Sequence, residues 1–203
     1  GYITSEPDIT TDAAQLFNHL TGYSRDVEYS RLLVAPDYLR RRLIDLIRGE
    51  GEMGEHGQIT IKVNSLADAE MAEELYAASQ KGAKVDLIIR GACMLPAQRP
   101  GVTDNIRVRS VIGRFLEHSR VFYFSAGKHE SLYLSSADWM NRNMLRRVEL
   151  AWPVEDPKLR QRIFNECLQT YLQDCVDAWV MNATGQYVKA TPPKARSATP
   201  KVY

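Results

Sequence analysis

Short apolar runs and amphipathic stretches alternate along the first half of the chain. The runs at 32–35, 59–63 and 85–89 have the length and the β-branched character of buried strands. Between these runs, apolar residues recur at helical spacing over 39–47 and again over 67–79. A strand–helix–strand–helix–strand order predicts an α/β fold, with a mixed sheet flanked by helices on both faces.

The second half of the chain is richer in short β-type runs. Alternation at 106–111 predicts a strand with one basic face, and two runs at 121–124 and 132–134 around a Gly-containing turn predict a hairpin. A further strand is expected at 148–153, followed by a long helix over about 158–182. The buried side of that helix is expected to carry Leu159, Ile163, Phe164, Cys167, Leu168, Tyr171 and Leu172.

The two ends of the chain differ from this central pattern. The chain begins at Gly1 without an initiator methionine, and residues 1–30 combine one helical stretch with a polar segment. We expect them to be the C-terminal tail of a preceding domain and a linker. Residues 31–187 are expected to form the α/β domain. Residues 188–203 are rich in Pro, Lys and Thr, which predicts an extended tail.

Composition limits the class of protein. With 203 residues, 44% of them hydrophobic and 25% charged, the chain can bury a sizeable core and has an ordinary soluble composition. Its longest apolar runs have the length of strands, which argues against a membrane-spanning segment, and no signal-peptide pattern opens the chain. The three cysteines, Cys93, Cys167 and Cys175, lack metal-ligand spacing, which fits a reducing cytoplasm.

Arginine is concentrated in one part of the chain, although the net charge of the whole chain is only +1. The stretch 90–147 contains four acidic residues, one lysine and nine arginines: Arg90, Arg99, Arg107, Arg109, Arg114, Arg120, Arg142, Arg146 and Arg147. Guanidinium groups match phosphate oxygens bidentately and stay charged at any working pH. The cluster indicates a phosphate, nucleotide or polyanion site as readily as a solvated basic face with unrelated salt bridges.

Polar residues directly follow two of the predicted strands. Lys62 and Asn64 lie at the end of the run at 59–63, and Arg90 precedes Gly91 at the end of the next run. Ligands of parallel βαβ units bind at the carboxyl ends of the strands, and helix N-termini bind anions. These residues are therefore candidates for phosphate binding. Equally, Asn64 reads as a helix N-cap, Lys62 as a solvated charge and Arg90 as half of a structural ion pair.

His118 precedes the predicted hairpin, with Arg114 and Arg120 close to it on either side. Because an imidazole titrates near neutral pH, such a residue is suited to act as a nucleophile for phosphoryl transfer, a general acid or a donor to phosphate. A lone histidine is more often an ordinary surface or core residue. The sequence leaves these roles open.

A polar cluster follows the second run of the hairpin and supplies hydroxyls and carboxylates. Ser135 and Ser136 are candidates for donating to a phosphate. Asp138 and, farther along, Glu149 would repel a polyanion when ionised. We therefore expect these two carboxylates to orient the arginines, Arg147 among them, or the imidazole, instead of touching the substrate.

Taken together, these stretches closely resemble the type-1 polyphosphate kinases. The similarity runs from Gly1 to about Tyr187, and its specificity lies in the combination, since any one motif alone is weak. The matching motifs are Lys-Val-Asn-Ser-Leu at 62–66, Leu-Tyr-Ala-Ala-Ser at 75–79, Leu-Ile-Ile-Arg-Gly at 87–91, Asn-Ile-Arg at 105–107, Gly-Arg-Phe-Leu-Glu-His-Ser-Arg at 113–120, Ser-Ser-Ala-Asp-Trp-Met at 135–140, Arg-Asn at 142–143 and Arg-Val-Glu at 147–149.

The resemblance implies an ATP:polyphosphate phosphotransferase, which moves the terminal phosphate of ATP reversibly to inorganic polyphosphate with Mg²⁺. It also implies two facing catalytic domains of phospholipase-D-like fold, of which residues 31–187 are the second and residues 1–30 the end of the first. The autophosphorylated histidine and the Mg²⁺ ligands of the family belong to the upstream domain. We therefore expect no metal ligands in this chain and no activity from the chain alone.

The resemblance also implies partners and a location. ATP or ADP, polyphosphate and the upstream catalytic domain are the expected partners, and the intact enzyme is expected to be a homo-oligomer; nucleic acid is not expected. A cytoplasmic location is expected, with membrane association left open.

By motif, Arg90 and His118 match the family's ATP-phosphate-contacting arginine and histidine. Arg114, Arg120 and Arg147 are expected to neutralise charge during phosphoryl transfer. The full set expected to bind ATP or phosphate is Arg90, His118, Lys62, Asn64, Arg114, Arg120, Ser135, Ser136 and Arg147, with Asp138 and Glu149 orienting them. The strand ends should bring these residues together at one edge of the sheet, in an open half-cleft.

The phospholipase-D pattern itself is incomplete here. That pattern reads His-x-Lys, four residues and then Asp, whereas Arg120 stands in place of the lysine and Ser125 in place of the aspartate. The missing aspartate argues against phosphodiester hydrolysis but leaves phosphate binding intact. Two alternatives therefore stand beside the kinase: a non-catalytic polyanion-binding module and a phospholipase-D-like phosphodiesterase.

Overall fold

The computed structural model describes residues 1–24, 27–36, 38–127 and 129–192. Within these ranges, nine strands form one mixed sheet in the order β1-β7-β6-β5-β2-β3-β4-β8-β9. The strands β2, β3 and β4 are parallel to one another, and every other neighbouring pair is antiparallel. The mixed α/β sheet expected from the sequence is confirmed.

The strands follow the β-branched and alternating runs closely. They are β1 (Leu33–Ala35), β2 (Gly57–Val63), β3 (Lys84–Ile89), β4 (Ile106–Val111), β5 (Arg120–Ala126), β6 (His129–Ser135), β7 (Glu149–Pro153), β8 (Ala178–Met181) and β9 (Tyr187–Lys189). The hairpin predicted around the Gly-containing turn is β5–β6, in which Arg120 pairs with Ser135 and Ala126 with His129.

The helices lie between these strands. They are α1 (Pro7–Leu20), α2 (Leu39–Glu52), α3 (Ala69–Gln80), α4 (Asn141–Leu145), α5 (Pro157–Ile163) and α6 (Thr170–Gln173), with a short 3₁₀ turn at Gly54–His56 and a π-helical segment at Phe164–Gln169. No helix in the described ranges is both long and apolar enough to cross a membrane.

Both faces of the sheet are covered. On one face, Ile59, Ile61 and Val63 of β2 pack into the main core with residues of α2 and α3. On the other face, Val121 and Tyr123 of β5 form a second core with Leu168 of the π-helical segment. Because side chains alternate along a strand, neighbouring residues of β2 and β5 face different cores.

The long helix expected over 158–182 is wrong in its second half. The helical run ends at Gln173, and Ala178–Met181 form β8, which pairs with β4. Leu159, expected on the buried side, is 49% exposed, whereas Leu168 is fully buried. The apolar spacing at 158–182 is compatible with a helix or a strand. Residues 178–181 form a strand because they pair with the edge of β4 that would otherwise lack a partner.

The first residues of the chain pack onto the sheet. Asp12 of α1 is buried and accepts hydrogen bonds from the backbone N–H groups of Ser30, Arg31 and Leu32, at 3.0, 2.6 and 2.8 Å. A small core around Ile9 and Leu16 of α1 joins the helix to the residues of β1. The assignment of residues 1–30 to a preceding domain and linker stays a prediction.

The expected tail begins with regular structure. β9 pairs with β8, so the boundary expected between residues 187 and 188 falls inside a strand. Residues 193–203, the larger part of that tail, lie outside the described residues. The domain limits therefore also stay a prediction.

Candidate functional site

Asn64, the first residue after β2, joins two distant parts of the chain. Its backbone N–H donates to Asp138 Oδ1 at 2.7 Å, and its side-chain Nδ2 donates to Asp138 Oδ2 at 3.1 Å. Its own Oδ1 accepts from Arg90 Nε at 3.1 Å and Nη2 at 2.8 Å. The sequence left Asn64 open as an N-cap; the cap of α3 is instead Asp68, which accepts from Met71 N–H.

Arg120 binds Asp138 from the other side. Its Nε donates to Oδ1 at 3.1 Å and its Nη2 to Oδ2 at 2.9 Å, which is the bidentate geometry of a strong ion pair. The same guanidinium lies against the exposed ring of His118, with Nη1 3.2 Å from Nδ1 and Nη2 3.4 Å from Nε2. Its Nη1 also donates to the His118 carbonyl oxygen at 3.1 Å.

The five residues Arg90, Asn64, Asp138, Arg120 and His118 thus form one connected group, called the strand-end network below. The ends of β2, β3 and β6 and the start of β5 bring it together, because those strands are neighbours in the sheet. The convergence of Arg90, His118 and the Ser135–Asp138 turn at one sheet edge is confirmed. Asp138 accepts from two nitrogens of Arg120, and its expected role of orienting an arginine of the site stays a prediction.

The charges within the network are unevenly compensated. Burial alone raises the pKa of Asp138, but hydrogen bonds from Arg120 and Asn64 lower it by more, so the pKa lies below its ordinary value and the carboxylate is charged. Arg120 is therefore offset by a charge within the protein. Arg90 is held by a neutral amide oxygen, and in the described part of the chain no carboxylate lies within ion-pair distance of it.

Gly91 allows the two strand ends to approach each other. Its N–H donates to the Asn64 carbonyl oxygen at 2.6 Å. A Cβ atom at this position would lie 2.7 Å from Ser65 Oγ and 2.9 Å from Asn64 O, inside normal contact distance. Only glycine fits without a backbone shift, which explains the Arg-Gly pair at the end of β3.

Lys62 lies beside the network, on the face of the sheet that the π-helical segment and α6 cover. Its side chain is only 3% exposed; Nζ lies 3.3 Å from Glu117 Oε2 and 3.4 Å from the centre of the Tyr171 ring. Burial lowers the pKa of Lys62, and Glu117 opposes that effect. Its expected role as a phosphate contact stays a prediction, and the ammonium group is already paired inside the protein.

The serines and Glu149 stabilise the turn around Asp138. Ser135 Oγ donates to the Leu150 carbonyl oxygen at 2.7 Å and accepts from Ala137 N–H at 3.0 Å. Ser136 Oγ donates to Glu149 at 2.5 Å, and Glu149 also accepts from Asn143 Nδ2 at 2.5 Å. These contacts fix the turn instead of reaching Arg120 or His118, so in this arrangement Glu149 orients neither.

The remaining expected residues are on the surface. Arg114 and Arg147 are exposed, and the Arg114 guanidinium lies 5.7 Å from the centre of the Phe115 ring. Arg142 and Arg146, which precede Arg147, are exposed as well. These arginines are accessible to a polyanion, and their roles in binding stay predictions.

The sequence-based interpretation missed Glu117 and Tyr171. The hydroxyl of Tyr171 donates to Glu117 Oε2, the atom that also pairs with Lys62. The position of Glu117 directly before His118 was the available signal. Tyr171 gave none, because it lay within an apolar helical pattern and was assigned to packing.

The described residues contain no group of three or more His, Cys, Asp or Glu side chains able to hold a metal ion. The oxygens of Asp138 are occupied by Arg120 and Asn64, and those of Glu149 by Ser136 and Asn143. The carboxylates of the site therefore do not fit a Mg²⁺ site.

The fold defines the class of protein first. The chain is similar to a solved phospholipase D family member, Nuc from Salmonella typhimurium, with a TM-score of 0.51 and 17% identity over 70% of this chain and 92% of that one. It is similar in the same way to NucT from Helicobacter pylori, with a TM-score of 0.55 and 20% identity over 72% of this chain and 96% of that one. At these identities the likeness shows a phospholipase-D-like fold and no more.

More similar relatives identify the family. Residues 32–200 match the model of the polyphosphate kinase C-terminal domain 2, and a solved polyphosphate kinase from Porphyromonas gingivalis has a TM-score of 0.88 and 36% identity, covering 95% of this chain and 30% of that one. Proteins named polyphosphate kinase from a Synechocystis strain and Pseudomonas putida are 48% and 47% identical over 95% and 94% of this chain. The chain belongs to the polyphosphate kinase family and contains its C-terminal domain 2.

The match covers only part of those relatives. The chain spans 27% of the Synechocystis protein and 26% of the Pseudomonas putida protein. About three quarters of each relative therefore lies outside the region of similarity.

Proposed function

We propose that the strand-end network is the phosphate-binding part of an active site that transfers the terminal phosphate of ATP to inorganic polyphosphate and back. The observation that carries this proposal is the state of Arg90. Its guanidinium is positioned by Asn64, and no carboxylate in the described residues lies within ion-pair distance of it. Glu117, whose pKa is lowered by the Tyr171 hydroxyl, then Lys62 and last Arg90, is bound by Lys62 and Tyr171 and not by Arg90. A fixed, partly exposed cation of this kind suits a triphosphate or a polyphosphate chain.

Arg90 donates to Asn64 through Nε and Nη2 only. Its Nη1 has no hydrogen-bond partner among the residues that the structure describes, and the side chain is partly exposed. The geometry leaves Nη1 to donate to a phosphate oxygen while Asn64 keeps the fork in place. Because the arginine is already held in place, binding costs little side-chain entropy. More of the binding free energy can then stabilise the charge that develops on the transferred phosphate.

His118 is the second phosphate contact in this proposal. Its ring is exposed at the edge of the network and lies against a guanidinium whose charge is offset by Asp138. The Arg120 side chain thus restricts the ring, and one ring nitrogen can donate to a phosphate oxygen. In the described residues the ring contacts Arg120, and no carboxylate contacts the ring to assist proton transfer. We therefore assign His118 to phosphate binding.

The nucleophile and the metal must come from outside the described residues in this scheme. The carboxylates of the site are engaged by donors, so no step is assigned here to Mg²⁺. The upstream domain with its phosphorylated histidine, the homo-oligomeric state and the cytoplasmic location are carried by the family resemblance and are parts of the proposal.

The test uses the full-length enzyme that carries this chain. Arg90→Gln and His118→Gln should each raise the KM for ATP in polyphosphate synthesis by about tenfold or more, since each removes a charged or polar phosphate contact. Arg162→Gln is the matched control: Arg162 is 70% exposed, and its ion-pair partner among the described residues is Glu166, one helical turn away. Wild-type kinetics for both site variants would overturn the proposed function.

A binding experiment on the chain by itself separates the kinase from the polyanion-binding module. Calorimetry should show that the chain binds ATP and polyphosphate weakly without consuming ATP, and Arg90→Gln should abolish ATP binding. If Arg90→Gln lowered polyphosphate affinity but the full-length enzyme kept its activity, the module would be the better assignment. Cleavage of a phosphodiester substrate by the chain would favour the phosphodiesterase.

A further inference from the structure

The segment 112–119, called the His118 loop below, joins β4 to β5 with little support of its own. Among the described residues, no backbone–backbone hydrogen bond involves it. Its apolar side chains do not anchor it, since Ile112, Phe115 and Leu116 are 61%, 76% and 68% exposed. A loop with so few buried contacts and hydrogen bonds opens easily unless specific side chains hold it.

In the described residues, side chains hold the loop at two neighbouring positions, Glu117 and His118. At the second position Arg120 donates to the His118 carbonyl oxygen at 3.1 Å. At the first position Glu117 Oε2 accepts from Lys62 Nζ at 3.3 Å and from the Tyr171 hydroxyl. The residue directly before His118 is thus bound through its carboxylate to side chains that lie against α6 and the π-helical segment.

The Glu117 contact is strong for physical reasons. The Lys62 side chain is 3% exposed, and an ammonium group buried to that degree requires a partner. The Tyr171 hydroxyl, followed by Lys62, lowers the pKa of Glu117 against the effect of burial. Burial and then Glu117 raise the pKa of Tyr171, so its hydroxyl stays protonated and donates.

Tyr171 reaches Glu117 from a distorted helix. It lies in α6, which follows the π-helical segment at Phe164–Gln169, and its ring covers Lys62 at 3.4 Å from ammonium to ring centre. π-helical turns are rare and are frequently found at functional sites. An extra residue in this turn changes which side chains face the sheet after it, and here one of them is Tyr171.

We propose that Tyr171 is a positioning residue for His118 and acts through Glu117, with Lys62 as the buried counter-charge. This inference rests on the proposed function, because it concerns the phosphate contact made by His118. Tyr171 and Lys62 do not touch the substrate. They hold the His118 loop in place from the face of the sheet that α6 covers, so that the imidazole is already oriented when it contacts the phosphate.

The first experiment measures the loop itself, without reference to catalysis. Tyr171→Phe keeps the ring over Lys62 and removes only the hydroxyl that donates to Glu117. Trypsin should then cleave the native full-length enzyme after the exposed Arg114 several times faster, while cleavage after Arg107 in β4 stays unchanged. Equal acceleration at both sites would indicate general destabilisation, and no acceleration after Arg114 would show that Tyr171 does not hold the loop; either result overturns the proposal.

The second experiment shows whether Tyr171 acts through His118. In the full-length enzyme Tyr171→Phe should raise the KM for ATP by about threefold to tenfold with a smaller change in kcat, as expected for a hydrogen bond to a charged group. Tyr76→Phe is the control, since Tyr76 is a partly buried tyrosine of α3 whose hydroxyl, among the described residues, accepts a hydrogen bond from Gln80 on the same helix. That variant should match the wild type.

A double-mutant cycle completes the test. In a His118→Gln background, Tyr171→Phe should cause no further rise in the KM for ATP, because the group that it positions is gone. Independent, multiplicative effects would overturn the positioning role and leave the proposed function intact. A wild-type KM for His118→Gln would remove His118 from the phosphate contacts and overturn the positioning role, and a wild-type KM for Arg90→Gln as well would overturn the proposed function. The trypsin result distinguishes these cases, because it reports on the loop alone.

Discussion

Arg120 and Asp138 form a nearly enclosed bidentate ion pair, with side chains 11% and 8% exposed and donor–acceptor distances of 3.1 and 2.9 Å. Arg120 stands where the phospholipase-D pattern has a lysine. Because the charge of Arg120 is offset by Asp138, we propose that this guanidinium supports the site and that Arg90, whose hydrogen-bond partner in the described residues is a neutral amide, attracts the phosphate.

Asp138→Asn should destabilise the protein by about 3 kcal/mol, because it leaves the buried Arg120 without its counter-charge and turns an amide N–H toward existing donors. Urea unfolding of the chain, followed by circular dichroism, measures this change in the free energy of unfolding. Glu166→Gln, which breaks the exposed pair with Arg162, is the control and should change the value by less than about 0.5 kcal/mol. A small effect for Asp138→Asn would mean that the pair does not organise the site.

The stability supplied by Asp138 should depend on pH in the acid range. The pKa of Asp138 is lowered on folding, so its contribution is fully present above the unfolded value of about 3.9 and is lost as the pH falls through the lower folded value. The difference in unfolding free energy between wild type and Asp138→Asn should therefore be constant from pH 7 to about pH 5 and shrink below about pH 4. Urea titrations at several pH values check this, and a difference that grows toward low pH would contradict it.

Gly91→Ala adds one methyl group, and we expect it to lower both the stability of the protein and its affinity for ATP. The added Cβ would lie 2.9 Å from the backbone oxygen of Asn64, so the ends of β2 and β3 must separate. We expect a loss of roughly 1–3 kcal/mol in stability and weaker ATP binding, because Asn64 positions Arg90. Gly113→Ala is the matched control, since its Cβ would meet only Asp177 Oδ2 at 3.7 Å. Equal behaviour of the two variants would sink this explanation of the Arg-Gly pair.

Asn64→Asp should weaken ATP binding by about tenfold or more compared with wild type. The carboxylate would still accept from Arg90, but its charge would offset the guanidinium and repel phosphate. Asn64→Ala removes the side-chain hydrogen bonds to Arg90 and to Asp138 without adding charge, so it measures the loss of positioning without the added negative charge. Calorimetry on both variants should rank Asn64→Asp as the weaker binder; the opposite order would show that the position of Arg90 matters and its free charge does not.

Salt should weaken polyphosphate binding more steeply than ATP binding. Arg114, Arg142, Arg146 and Arg147 are exposed, and a polymer that contacts several of them releases more counterions than a single nucleotide does. A plot of log Kd against log salt concentration should be steeper for polyphosphate, and Arg147→Gln should reduce that slope by about one unit. Equal slopes for the two ligands would mean that the exposed arginines do not form a continuous binding track.

Sequence periodicity was sufficient for most of the fold. The runs that became β2, β3, β4 and the β5–β6 hairpin are short, β-branched and bounded by turn residues, so local pattern and tertiary environment agree. The prediction for 158–182 was wrong in its second half because the apolar spacing there is compatible with both a helix and a strand. Pairing with the edge of β4 makes 178–181 a strand, and the sequence pattern alone does not show that this edge is available.

The site was predictable to the extent that it lies at strand ends. Arg90 follows the end of β3, which is parallel to β2, and His118 precedes the start of β5, which is antiparallel to β2, so both positions fall at the same sheet edge. Which side chains then bind one another depends on register and distance at the level of a few ångströms. The sequence therefore predicted that Asp138 orients an arginine or the imidazole, but not which one. It did not predict that Lys62 pairs with Glu117 and Tyr171.

The hydrogen bonds between Asn64 and Asp138 join residues 74 positions apart in the chain. They form only after β2, β5 and β6 have paired, and closing so long a loop is a slow, late event compared with forming a local helix or hairpin. During refolding, affinity for phosphate should therefore appear with the last cooperative step and not with the early secondary structure. We therefore expect a chain that has recovered its helices but not this contact to lack affinity for phosphate.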